Sequence, residues 1–149
     1  MYIYVLFQSI KMKYLLLFLL FTSISFGQNV PLKEHAIDAS LKECLAAPEG
    51  TSTAGMIACT ITAKNAWDAE MNKYYKRLMD VLNPDEKLKL KESQRHWIAY
   101  RDKEMAFSSA VFANKEGTMW RVIAASNNLE IVKKRAQELT GYYELLTQE

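Results

Sequence analysis

Between Met56 and Leu82 the chain repeats apolar or small side chains at steps of three and four: Met56, Thr60, Ala63, Trp67, Met71, Tyr74, Leu78, Leu82. That is the period of one face of an α-helix. No Gly or Pro interrupts it, and the whole chain holds only five Gly and three Pro, poor material for strands and tight turns. A helix over residues 53–82 is therefore the element around which the rest must fold.

Its end is written locally. Asn83 can cap a following helix, Pro84 suits a first helical position, and Asp85 and Glu86 suit the positive end of that helix's dipole. The next helix is predicted from Pro84 to about Ala113. One stripe on it is Leu90, Ser93, Trp97, Tyr100, Glu104, Phe107 and Val111; a second is Ile98, Met105 and Phe112. Two stripes predict two buried sides and a central position. The tight turn at Asn83 makes an antiparallel hairpin, in which Trp67 lies level with Tyr100, and Glu70 and Met71 lie near Trp97. Asn114-Lys115-Glu116-Gly117 breaks the chain again. A last helix carries Val122, Ala125, Leu129, Val132, Ala136 and Leu139, with Gly141 as its predicted end and Tyr142-Tyr143 packing back. Upstream, a first helix is expected from about Pro31 or Glu34 to Ala46, ended by residues 48–53. The fold class is all-α: a small antiparallel bundle of about four helices with a long central hairpin.

The N-terminus reads as an export signal. Lys11 and Lys13 precede the apolar run Tyr14 to Phe21, and Ser25 and Gly27 put small side chains where a signal peptidase needs them. Residues 1–27 are predicted to be a signal peptide cut between Gly27 and Gln28, with residues 28–149 as the mature helical domain, periplasmic or secreted. Met12 is an alternative start. The apolar run is shorter than the ~20 residues of a spanning helix, so no membrane association is expected after cleavage. The chain has 19 basic and 17 acidic residues; losing Lys11 and Lys13 leaves 17 of each. A neutral mature domain offers no charge argument for nucleic acid.

Two cysteines remain, Cys44 and Cys59. In an oxidising compartment an even pair reads as a disulfide, worth roughly 3 kcal/mol through loop closure. No CxxC is present, and only His35 and His96 could assist a metal, so no cofactor or metal is expected.

The residues that could carry chemistry cluster in Gln94-Arg95-His96-Trp97-Ile98-Ala99-Tyr100-Arg101-Asp102-Lys103-Glu104. Glu104 falls on the apolar stripe and needs a partner there. Arg101 can reach it one turn away, and Glu70 across the hairpin. The residues favour a structural ion-pair network; an acid–base pair in a cleft is the catalytic alternative, and no nucleophile or oxyanion site stands beside it. His96 is expected to face solvent. The cations around the hairpin turn, Lys73 to Arg95, are interleaved with acids and read as a solvated face.

Taken in order, these motifs resemble the lysozyme inhibitor LprI-like family, a domain of unknown function. Cys44 and Met56-Ile57-Ala58-Cys59 match its Met-x-x-Cys. Ala69-Glu70-Met71-Asn72-Lys73-Tyr74-Tyr75-Lys76-Arg77-Leu78 is similar to its Glu-Leu-Asn…Tyr…Leu helix. Ser93 to Asp102 is close to its Gln-Arg-Ala-Trp-Ile-x-Tyr-Arg-Asp, and Gly117-Thr118-Met119 and Arg135-Ala136-Gln137-Glu138-Leu139 resemble its closing segments. Glu70, Trp97, Tyr100, Arg101, Asp102 and Glu104 would be its structural motif. Family members often carry a second cysteine pair. By register those positions are Met105 and approximately Asn127 here, so that staple is absent, and packing of Met105 is its expected substitute.

The resemblance implies a non-enzymatic envelope protein whose partner is a lysozyme-like muramidase. Such an enzyme works through two carboxylates in a sugar-binding cleft, which an inhibitor would plug with a loop carrying donors. The candidate loops are Glu49, Gly50, Thr51 and Ser52 inside the disulfide ring, and Asn114, Lys115, Glu116 and Gly117. The rival reading is a periplasmic immunity or adaptor protein with another partner.

Overall fold

Each break between helices is made by chemistry the chain carries at that point. The computed structural model describes residues 34–148; the predicted signal segment and its cleavage point lie outside them. Helix α1, Ala36–Ala46, starts where His35 Nδ1 accepts from the Ile37 N–H at 3.2 Å. Ala47 is extended, and Pro48 opens a short 3-10 helix, Pro48–Thr51. Ser52 then caps α2, Thr53–Val81, by accepting from the Gly55 N–H at 3.0 Å. At Asn83 a reciprocal capping box forms: its Oδ1 accepts from the Glu86 N–H, and Glu86 Oε2 accepts from the Asn83 N–H, both at 3.0 Å. Helix α3, Pro84–Ala113, follows with Pro84 in its first turn, as expected. Gly117, at φ +93°, turns the chain into α4, Met119–Thr147.

The order of directions is up, down, up. Helices α2 and α4 therefore run parallel, and α3 is antiparallel to both. The core is the seam between α2 and α4. Ala63, Trp67, Met71 and Leu78 from one meet Leu129, Val132, Ala136 and Leu139 from the other. These are the periodic residues predicted for both helices. Each large apolar side chain buried here contributes ~1.5–3 kcal/mol. Tyr74 on α2 and Tyr143 on α4 meet edge to face, with ring centres 5.6 Å apart, so the C-terminal tyrosine does pack back.

Cys44 and Cys59 form a disulfide with Cα atoms 5.8 Å apart. It joins α1 to the first turns of α2 and closes a ring around the 3-10 helix. Gly50 is buried in that ring, where a Cβ would collide with the Cys44 carbonyl oxygen.

Two expectations fail. Helix α3 is not central. Of its residues only Gln94 and Ser108 are fully buried, while Leu90, Trp97 and Met105 half-bury against the core. Tyr100, Phe107 and Val111, members of its first predicted stripe, are exposed. Periodicity says which side chains share a face, but not whether the chain holds another element to cover it. Gly141 also does not end α4, which runs on to Thr147. A glycine stop needs a positive φ, and Gly141 has none. Met105 packs against the core where the family pattern has a cysteine, and Asn127 is exposed.

Candidate functional site

The two loops singled out in the sequence lie at one end of the bundle. Because α2 and α4 run parallel, both begin there. Thr53 Oγ1 and Thr118 Oγ1, 65 residues apart, are within hydrogen-bond distance at 3.1 Å. That contact ties the start of α2, inside the disulfide ring, to the turn before α4. Glu49, Thr51 and Ser52 are exposed on one side; Asn114, Lys115, Glu116 and Gly117 are exposed on the other. Gly50 is the exception, shaping the ring from inside.

This end is stiffened from below. Phe112 and Trp120 stack with ring centres 5.7 Å apart, clamping both ends of the 114–118 turn, and Lys115 Nζ stands 6.0 Å above the Trp120 ring. Asn114 Nδ2 donates to the Ala110 carbonyl at 3.2 Å. An open groove continues down the side between Ile57, Ile61, Phe112, Arg121 and Ala124. Helices α2 and α4 begin at this end while α1 and α3 finish there, so the helix dipoles largely offset one another, and exposed Lys115 and Arg121 stand among exposed Glu49 and Glu116.

The motif on α3 is arranged differently from expectation. Arg101 does not pair with Glu104. Its Nε and Nη2 donate to Asp102 Oδ1 at 2.9 and 2.7 Å, and its guanidinium lies 5.3 Å from the Trp97 ring centre. Glu70 is taken by Lys73 at 2.8 Å, on its own helix. Glu104 is half-buried and has no ion-pair partner among the described residues. The Arg101–Glu104–Glu70 network is therefore not formed: Arg101 and Glu70 each pair with a neighbour on their own helix, at lower entropy cost than reaching across the hairpin, and Glu104 is left out. The hairpin register is one turn off as well. Gln94, rather than Trp97, meets Met71, with Nε2 donating to Sδ at 3.6 Å. Trp97 is half-buried, Tyr100 exposed, and His96 exposed beside Glu92 at 3.8 Å.

The buried polar network lies elsewhere. Arg135 on α4 is 8% exposed. Its Nε donates to Gln94 Oε1 at 3.1 Å, its Nη2 to Ser93 Oγ at 3.2 Å and its Nη1 to Glu138 Oε2 at 3.1 Å. A sequence signal existed, because Arg135 is three residues after Val132 and four before Leu139, on the buried face. A second cluster binds α1 to the core. Asp38 accepts from Trp67 Nε1 at 3.3 Å and pairs with Lys133 at 2.9 Å, while His35 lies against Trp67 with ring centres 4.3 Å apart. Both networks hold helices together. Among the described residues, no group of three or more His, Cys, Asp or Glu side chains is placed to hold a metal, and no helix is long and apolar enough to cross a membrane.

A three-helix up-down-up bundle, with a short helix stapled to its first long helix by one disulfide, defines the class: a small disulfide-tied helical domain. The sequence pattern of the family described as "Lysozyme inhibitor LprI" matches residues 44–139, more than half of the chain, and the chain belongs to that family. In structure it is similar to an uncharacterised protein from Burkholderia thailandensis, seen by crystallography. The TM-score is 0.74 and the identity 33%, covering 78% of this chain and 58% of that one. The chain thus spans a little over half the length of that relative. No curated protein matches.

Proposed function

We propose that this chain is an exported envelope protein that binds a lysozyme-like muramidase and inhibits it with the end of the bundle where α2 and α4 begin. The observation that carries the reading is the Thr53–Thr118 contact at 3.1 Å, taken with membership of the LprI family. The contact brings two exposed loops far apart in sequence to one end of the bundle. A lysozyme cleft is lined by two carboxylates. Exposed Lys115 and Arg121 can pair with such carboxylates, and loops already held side by side lose little entropy on docking. The mature domain is neutral overall, so attraction would be local to this end rather than a long-range steering field.

The test is a lysis assay on cell-wall substrate with the chain purified from the envelope fraction of cells expressing the full sequence. The expected result is dose-dependent inhibition of at least one lysozyme type at micromolar protein. Absence of inhibition across several lysozyme types would refute the proposal. In that case a different protein captured from the envelope would favour the immunity or adaptor reading.

A further inference from the structure

Helix α3 carries an apolar strip that nothing among the described residues covers. Tyr100 is 54% exposed, Phe107 64% and Val111 39%. Steps of three and four place Lys103 and Glu104 on the same strip. Neither has an ion-pair partner among the described residues.

The order of these residues is self-complementary. Let a second α3 lie antiparallel on the first, with a two-fold axis passing between residues 103 and 104. Tyr100 then faces the partner subunit's Phe107, and Phe107 faces the partner subunit's Tyr100. Lys103 faces the partner subunit's Glu104, and Glu104 the partner subunit's Lys103. His96 and Val111 pair in the same way further out. An isologous contact requires this: each residue must suit the one it meets under the two-fold. Two aromatic pairs and two opposite-charge pairs are produced by one axis. A sequence without this order would set like charges together or leave the rings unmatched.

The geometry points to a symmetric homodimer of this chain through the Tyr100–Val111 strip of α3. A second copy is the occupant that the charge pattern fits. It also accounts for a helix patterned as though buried on two sides but covered on one. A single helix pair is a small interface, so the dimer is expected to be weak, with a micromolar dissociation constant. It leaves the loop end of each subunit facing outward, and is independent of the proposed inhibition.

Sedimentation of the chain purified from the envelope fraction, in a concentration series reaching high micromolar, tests it. The expected result is reversible monomer–dimer association. Lys103→Glu and Glu104→Lys each place two like-charge pairs across the axis and should weaken it by at least about tenfold. The double reversal K103E/E104K restores opposite charges and should recover most of the loss. Phe107→Lys should leave only monomer. Circular dichroism confirms that each variant keeps its helices, since Lys103 and Phe107 are exposed. A monomer at every concentration overturns the proposal, as does a dimer indifferent to Phe107→Lys or a double reversal no better than the singles. Reduced lysozyme inhibition by these variants, with a monomeric parent, would assign the strip to the muramidase and overturn it equally.

Discussion

Arg135 Nε donates to Gln94 Oε1 at 3.1 Å, deep between α4 and α3. The same guanidinium reaches Ser93 and Glu138, and Gln94 turns its other end to Met71 on α2. Three helices are thus registered by one buried fork. The first residue of the family-like Gln-Arg-x-Trp stretch is structural, and its partner comes from the closing segment.

Arg135→Ala would leave Gln94 without its donor inside the bundle, while exposed Ser93 can turn to water. A buried polar group left unpaired is costly, and the loss is expected to be ~1–3 kcal/mol in urea unfolding. Arg135→Lys should recover less than half, because an ammonium lacks the planar fork that serves three acceptors. A loss below ~1 kcal/mol for the alanine variant would show that the network is replaceable by water.

The Cys44–Cys59 bond closes a short ring around the 3-10 helix. Replacing both cysteines by serine is expected to cost ~3 kcal/mol, mostly by freeing the unfolded chain. The consequence for function is local. Residues 49–52 form half of the proposed docking end, so reduction should impair inhibition at temperatures where the bundle remains folded. Circular dichroism and the lysis assay, with and without reductant, measure the two effects separately.

Gly141 sits inside α4, with room for a Cβ and no positive φ. Gly141→Ala is expected to stabilise by ~0.5–1 kcal/mol and raise the melting temperature by a few degrees. Gly50→Ala should do the opposite, because its Cβ would strike the Cys44 carbonyl. Paired thermal melts of the two variants check both signs.

Much of the fold was legible because its decisive features are local. The steps of three and four on α2 named Ala63, Trp67, Met71 and Leu78 as core, and the Asn83-Pro84 start of α3 follows from side chains within one turn of each other. The disulfide followed from the compartment and an even count. Three features were missed. The buried role of Arg135 depends on Gln94, 41 residues away. The exposure of Tyr100 and Phe107 depends on whether another element covers α3. The end of α4 was misplaced because a glycine without a positive φ looks the same in sequence as a helix stop. For the candidate site, both loops were visible as breaks. Their meeting through Thr53 and Thr118 needed the parallel course of α2 and α4, which no local pattern states.

In the proposed function the two loops act as one docking surface. Hydrogen–deuterium exchange, with and without an inhibited lysozyme, tests it most directly. The expected result is slowed exchange in residues 49–54 and 114–118 together, with the hairpin turn around Asn83 at the opposite end unchanged. Protection confined to one loop, or centred on the hairpin turn, would contradict it.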